Sequence, residues 1–221
     1  MKTISKENYL KAIYGLANKN GETVPTSVIA RELNVSNAAI SEMANKLSNQ
    51  GFVEHKKYKG IKILAKGKKV AINVLRKHRL WELFLMETLG LNWGEVHHEA
   101  EKLEHSTSDL LIDRIDEYLN YPISDPHGAP IPNKSGNYRS EVKDFPMSEC
   151  LIGKSYKISR VNDKSPDLMS YLSQINIALN KKIKINDKLS FDGSIIIAVD
   201  GISHSLSEKL IDNIFIKHLK N

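Results

Sequence analysis

Tyr9, Leu10, Ile13, Leu16 and Ala17 recur at helical spacing through residues 5–17, and Ser5 is a candidate N-cap for that helix. Residues 18–24, with Gly21, read as a loop. Pro25–Gly51 then fits two short amphipathic helices, about 26–33 and 37–49, joined by Asn34-Val35-Ser36. Ile29, Leu33, Val35, Ile40, Met43 and Leu47 form one apolar set, Ala30 permits a close helix crossing, Ser36 can cap the second helix and Gly51 stops it. Phe52–Leu64 reads as two strands turning near Lys59-Gly60. A helix–turn–helix followed by a basic hairpin is the outline of a winged helix.

Further along, a long helix is expected from about Gly67 to Leu89, with Val70, Leu75, Leu80, Leu83 and Phe84 as core candidates, then helices over Trp93–His105 and Ser108–Leu119. Residues 120–146 hold five of the seven prolines and mark a connection. Beyond it the period changes to two: Tyr156–Val161, Ile183–Leu189, Ser194–Val199 and Phe215–Leu219 read as strands, with a short helix over Pro166–Ile177. The expected fold is mainly α with a β-rich C-terminal domain. Its segments are a winged helix–turn–helix DNA-binding domain over 1–72, a helical domain over 73–140 and a small β domain over 147–221.

Composition sharpens this outline. The chain has 221 residues and 41% hydrophobic content, enough for real cores. A single cysteine, Cys150, excludes a disulfide framework and any cysteine-rich zinc site. No apolar run approaches a membrane span, and the first residues lack the apolar stretch of a signal peptide, so no membrane partner and a cytoplasmic location are expected. The net charge of +6 is unevenly spread: residues 1–77 hold 15 Lys+Arg against 5 Asp+Glu, whereas residues 78–145 hold 6 against 13. A basic block contacts polyanions and an acidic one holds cations.

In the basic block the N-terminal residues of the second helix, Ser36, Asn37, Ala38, Ala39, Ser41 and Glu42, are placed to meet base edges. Ala38 and Ala39 allow close approach and contact with thymine methyls. Thr26 and Ser27 open the first helix toward phosphate, Lys46 is placed for phosphate, and the wing offers Lys57, Tyr58 and Lys59. The block holds few arginines, Arg31 and Arg76 only, so readout leans on shape and thymine contacts.

The acidic block carries five of the eight histidines: His78, His97, His98, His105 and His127. At about 100° per residue, Glu101, Glu104 and His105 fall at roughly 40°, −20° and 80° from His97, so these donors converge on one helix face. His78 and Glu82 make an i, i+4 pair on the preceding helix. Imidazole and carboxylate without thiolate suit Mn²⁺, Fe²⁺ or Zn²⁺. No zinc-peptidase motif and no pair of Glu-x-x-His units occurs, so catalysis is not expected.

These residues together resemble the diphtheria toxin repressor family of iron- and manganese-dependent transcriptional regulators. The resemblance rests on Glu7–Tyr14, Ile29–Ser36, Arg76–Glu82, Glu95–His105 and Pro126–Pro132, in order along the chain. It implies a homodimer that binds a palindromic operator on double-stranded DNA when loaded with metal, repressing metal-uptake genes, and an SH3-like C-terminal small β-barrel. It further implies a primary metal site of Glu101, Glu104 and His105 with a donor at Asn8, and a second site drawing on His78, Glu82 and His97 with His127 and a carboxylate such as Asp163. Glu101 stands where iron-responsive members carry cysteine, as in manganese-responsive ones, which points to Mn²⁺ first and Fe²⁺ next; Asn8 stands where Asp or Met is usual, a neutral oxygen donor that weakens hard-cation binding. The competing reading is a metal-independent winged-helix regulator whose acidic helices serve only dimerisation, for which Glu104→Ala leaves DNA affinity unchanged.

Overall fold

The structure, a computed structural model, describes residues 6–20, 23–56, 59–140, 143–162 and 166–219. The chain packs as two compact units. The first comprises Met1–Lys77 with the short stretches Glu104–Thr107 and Pro132–Asn137, and the second holds the remainder.

In the first unit α1 (Lys6–Asn20) precedes β1 (Thr23–Val24), α2 (Thr26–Leu33), α3 (Asn37–Asn49), β2 (Val53–Lys56) and β3 (Gly60–Ile63). The helix pair has the expected boundaries because its turn is encoded locally. Asn34 adopts the left-handed conformation at φ 52°, a state that asparagine tolerates. Ser36 Oγ accepts from the Ala39 amide at 3.2 Å and so caps α3. Tyr9, Leu10, Ile13, Ile29, Ile40, Leu47, Ile61 and Ile63 close one core between the helices and the antiparallel sheet. Tyr9 sends its hydroxyl to the Ile40 carbonyl at 2.8 Å, and burial pushes that phenol above its ordinary range.

The loop expected over 18–24 instead yields β1, whose Thr23 and Val24 pair with Lys62 and Ile61 in a sheet of order β1-β3-β2. Gly60 makes this pairing possible, since it sits at φ +90° and a Cβ there would lie 2.6 Å from the Val24 carbonyl oxygen. Replacing Ser36 by alanine removes the α3 cap; a loss of about 1 kcal/mol is expected. A lowered urea midpoint at unchanged m would show it, and an unmoved midpoint would contradict the capping role.

The long helix α4 runs over Ala65–Leu89. In the second unit α5 (Val96–Leu103) and α6 (Asp109–Tyr118) follow it. Helix α5 is shorter than the 93–105 expected. At its start Asn92 Oδ1 accepts from the amides of Gly94 and Glu95, at 3.0 and 3.1 Å, which holds Trp93–Glu95 in a turn. At its end Glu104 and His105 leave the helix. Leu80, Leu83, Ile112, Ile115 and Ile131 form the helical core.

The rest of this unit is a six-stranded antiparallel sheet, ordered β4-β9-β5-β6-β7-β8. Its strands are β4 (Phe145–Pro146), β5 (Ser155–Val161), β6 (Lys182–Lys188), β7 (Ile195–Val199), β8 (Ile202–Leu206) and β9 (Ile214–His218). Helix α7 (Pro166–Gln174) and the short α8 (Glu208–Ile211) complete it. Alternation buries Ile158, Ile183, Ile185, Ile195, Ile197, Ile214 and Ile216 on one face, the arrangement of an SH3-like domain. The lone Cys150 lies inside this core, where burial pushes its thiol up and keeps it unreactive.

Candidate metal centre and nucleic-acid interface

Helix α3 turns Ile40, Ala44 and Leu47 inward, leaving Asn37, Ala38, Glu42 and Lys46 exposed and Ala39 and Ser41 half-buried. The exposed side is therefore small and polar, with room for a nucleic-acid groove. Ser41 Oγ donates back to the Asn37 carbonyl at 3.0 Å, while Lys46 pairs with Glu42 at 2.7 Å and holds that carboxyl below the usual range. An exposed pair of this kind is weak, so Lys46 can exchange Glu42 for another anion at little cost. Thr26 and Ser27 open α2, and Lys59 is exposed at the wing turn. Lys57 and Tyr58 lie outside the described residues. Sequence reasoning missed a link between wing and helix, His55 Nδ1 to Asn45 Oδ1 at 2.9 Å.

His97 packs with the i, i+4 pair of α4, apart from Glu104 and His105, as the implied second set of donors has it. Glu82 Oε1 lies 3.0 Å from His78 Nε2 and 3.1 Å from His97 Nδ1, and the two ring nitrogens are themselves 3.1 Å apart. Glu82 is fully buried and His78 nearly so. His127 Nε2 stands 3.9 Å from the same oxygen and is also fully buried. Asp163 lies outside the described residues.

His127 is held from several directions. Asp125 Oδ1 accepts from the His127 and Ala129 amides at 2.8 and 2.9 Å, and Trp93 donates its indole N–H to the Pro126 carbonyl at 3.0 Å. The Trp93 ring stacks on the His127 ring with centroids 5.4 Å apart. Val161 of β5 donates to the His127 carbonyl at 2.9 Å. At Gly128, φ +85°, a side chain would collide with the Ser159 carbonyl oxygen. None of these supports was visible as periodicity.

A donor set of imidazole nitrogens converging on one buried carboxylate oxygen fits a divalent cation. Neighbouring ligands around such an ion, bonded at about 2.1 Å, lie about 3 Å apart, and His78, Glu82 and His97 have that spacing. Without thiolate the set favours borderline and hard ions.

In the first unit Glu104 is buried and Lys11 Nζ donates to both of its oxygens, at 2.6 and 2.9 Å. His105 Nδ1 faces Glu7 Oε2 at 2.6 Å, and its Nε2 lies 3.2 Å from Glu104 Oε1. Asn8 is half-buried on α1, one helical turn before Lys11, and Glu101 is exposed on the last turn of α5. Glu7 and Lys11 were missed as members of this cluster. Their partners are 98 and 93 residues away, and the only local signal was that Glu7, Asn8 and Lys11 share one side of α1.

Three family descriptions match the chain in succession. They are an iron dependent repressor N-terminal DNA binding domain over residues 1–61, an iron dependent repressor metal binding and dimerisation domain over 65–133, and a FeoA domain over 145–218. The iron-dependent repressor IdeR of Mycobacterium leprae is 36% identical over 126 residues, which cover 57% of this chain and 54% of that one. The HTH-type transcriptional regulator MntR of Oceanobacillus iheyensis is 35% identical over 121 residues, covering 55% of this chain and 81% of its own length. A solved manganese-dependent transcriptional repressor in complex with manganese matches at TM-score 0.90 and 33% identity, covering 97% of this chain and all of that one. A DNA-binding unit, a metal-binding helical segment and an SH3-like sheet thus follow one another in the order of these relatives, and the chain belongs to the diphtheria toxin repressor family of iron- and manganese-dependent transcriptional regulators.

Proposed function

We propose that this chain is a metal-activated repressor that, loaded with Mn²⁺ or Fe²⁺, binds a palindromic operator as a homodimer and holds down metal-uptake genes in the cytoplasm. The observation that carries the reading is the convergence of His78 and His97 on one oxygen of the buried Glu82 in a chain that also presents a helix–turn–helix. A buried carboxylate beside imidazoles is costly unless a cation or proton compensates it.

In this reading residues 1–72 contact DNA, 73–140 hold metal and dimerise, and 147–221 form the accessory domain. Asn8, Glu101, Glu104 and His105 make the primary site; His78, Glu82, His97, His127 and Asp163 make the second. When bound, the cation supplies the positive charge that lets the carboxylates stay together, and Zn²⁺ also suits these donors. Asn8 contributes a neutral oxygen, so the primary site carries less negative charge than one with aspartate there. Ser36, Asn37, Ala38, Ala39, Ser41 and Glu42 face the major groove, while Thr26, Ser27, Lys46, Lys57, Tyr58 and Lys59 meet the backbone. Leu110 and Tyr118 of α6 are 71% and 63% exposed, apolar surface of the kind a second copy covers. No catalytic role is assigned.

Fluorescence anisotropy of a labelled palindromic promoter fragment tests the reading. Affinity is expected to rise at least about tenfold with Mn²⁺ or Fe²⁺, because coupling free energies between sites commonly correspond to about 5–150-fold. Equal affinity in chelator and in metal would sink it.

A further inference from the structure

The cation already seated on Glu104 is Lys11. Its ammonium donates to both carboxylate oxygens, at 2.6 and 2.9 Å, and the Glu104 side chain is fully buried. Lys11 is itself largely buried, with 19% of its side chain exposed, so water screens the pair weakly. Glu7 completes the pattern through His105 Nδ1 at 2.6 Å. Helix α1 therefore gives Glu104 and His105 their partners without any metal: a positive group for the carboxylate and a negative one for the imidazole.

This arrangement has a direct effect on binding. An unpaired buried carboxylate is costly, and that cost would be relieved on loading a dication. With Lys11 in place the cost is already relieved. A dication that takes Glu104 must either displace the ammonium or sit beside it, and like charges a few ångströms apart in a half-dry site repel strongly. Lys11 thus stabilises the metal-free state and opposes the loaded one. Asn8, on the same side of α1, adds no negative charge to offset it.

We propose that Lys11 is an internal competitor for Glu104 that sets the free-metal concentration at which the primary site fills. This rests on the reading of Glu104 as a metal ligand, and it concerns the setting of affinity rather than ligation itself. Lys11 is a positioning and affinity-determining residue, not a ligand.

Mn²⁺ binding to the full-length chain, followed by the electron paramagnetic resonance signal of free Mn²⁺, tests it on the wild type, Lys11→Met, Lys11→Arg and Glu104→Gln. Loss of a charge-assisted bidentate contact is expected to tighten the Glu104-dependent binding event about tenfold or more in Lys11→Met. Lys11→Arg keeps the charge and should gain no more than about threefold. Melting of metal-free Lys11→Met should begin at lower temperature than in the wild type, with a larger rise on adding Mn²⁺. If Lys11→Met does not fold, Lys11→Gln makes the same comparison with a neutral hydrogen-bond donor. Unchanged or weaker Mn²⁺ affinity in the neutral variants, with wild-type binding still sensitive to Glu104→Gln, overturns the competitor role alone. Wild-type and Glu104→Gln isotherms that coincide overturn the metal reading of Glu104 and the competitor role together.

Discussion

Glu82→Gln is expected to abolish one of two metal-binding events. The substitution keeps the shape of the side chain and removes the one negative charge on which His78 Nε2 and His97 Nδ1 converge. Losing even a supporting partner of a ligand typically costs 10–100-fold in metal affinity, so removal of the carboxylate itself should cost about 100-fold or more. Titration calorimetry with Mn²⁺ would read this as a two-step isotherm reduced to a single step. The metal-free protein should remain folded, since glutamine can still hydrogen-bond both imidazoles. Retention of both events in Glu82→Gln would mean that the triad of His78, Glu82 and His97 is a structural hydrogen-bond cluster and that metal acts elsewhere.

The second large effect is expected at Ala38. This residue is exposed near the start of α3, on the side away from Ile40 and Leu47. A carboxylate there would enter a groove lined by phosphates, where it gains no partner and meets repulsion. Ala38→Glu should weaken operator binding about 100-fold or more, comparable to the loss of one or two good base contacts together with the added repulsion. It should leave the thermal midpoint within about 2 °C of the wild type, because the position contributes little to the core. Undiminished operator affinity in this variant would remove α3 from the interface and redirect attention to the wing.

The way these elements are encoded explains which of them could be read in advance. The α2–α3 pair was legible to the residue because its signals are neighbours: Asn34 supplies the left-handed turn and Ser36 the cap. The i, i+4 pair of His78 and Glu82 was legible for the same reason. The strand β1 was not, since two residues carry no period and its pairing depends on Gly60 lying against Val24. Strand β8 escaped too, because an edge strand reading Ile-Ser-His-Ser-Leu buries only Leu206 and hides its alternation. The helix expected over 93–105 was overextended at both ends. Its N-terminus is held off by the Asn92 side chain, and its C-terminal residues are engaged by α1 through contacts more than 90 residues apart in sequence. Hydrophobic periodicity reports the burial of a face, and long-range ion pairs of this sort leave no trace in it.

The loop carrying His127 belongs to two structures at once. Its backbone carbonyl accepts from Val161, the last residue of β5, while its ring approaches Glu82. That double membership makes ligand occupancy and sheet integrity reciprocal quantities. Any free energy by which a cation recruiting His127 steadies the loop must reappear as added resistance of the C-terminal sheet to melting, and a loosened sheet must weaken the ion by the same factor. The accessory sheet would then act as a thermodynamic ballast for the centre, tuning it through the backbone of β5.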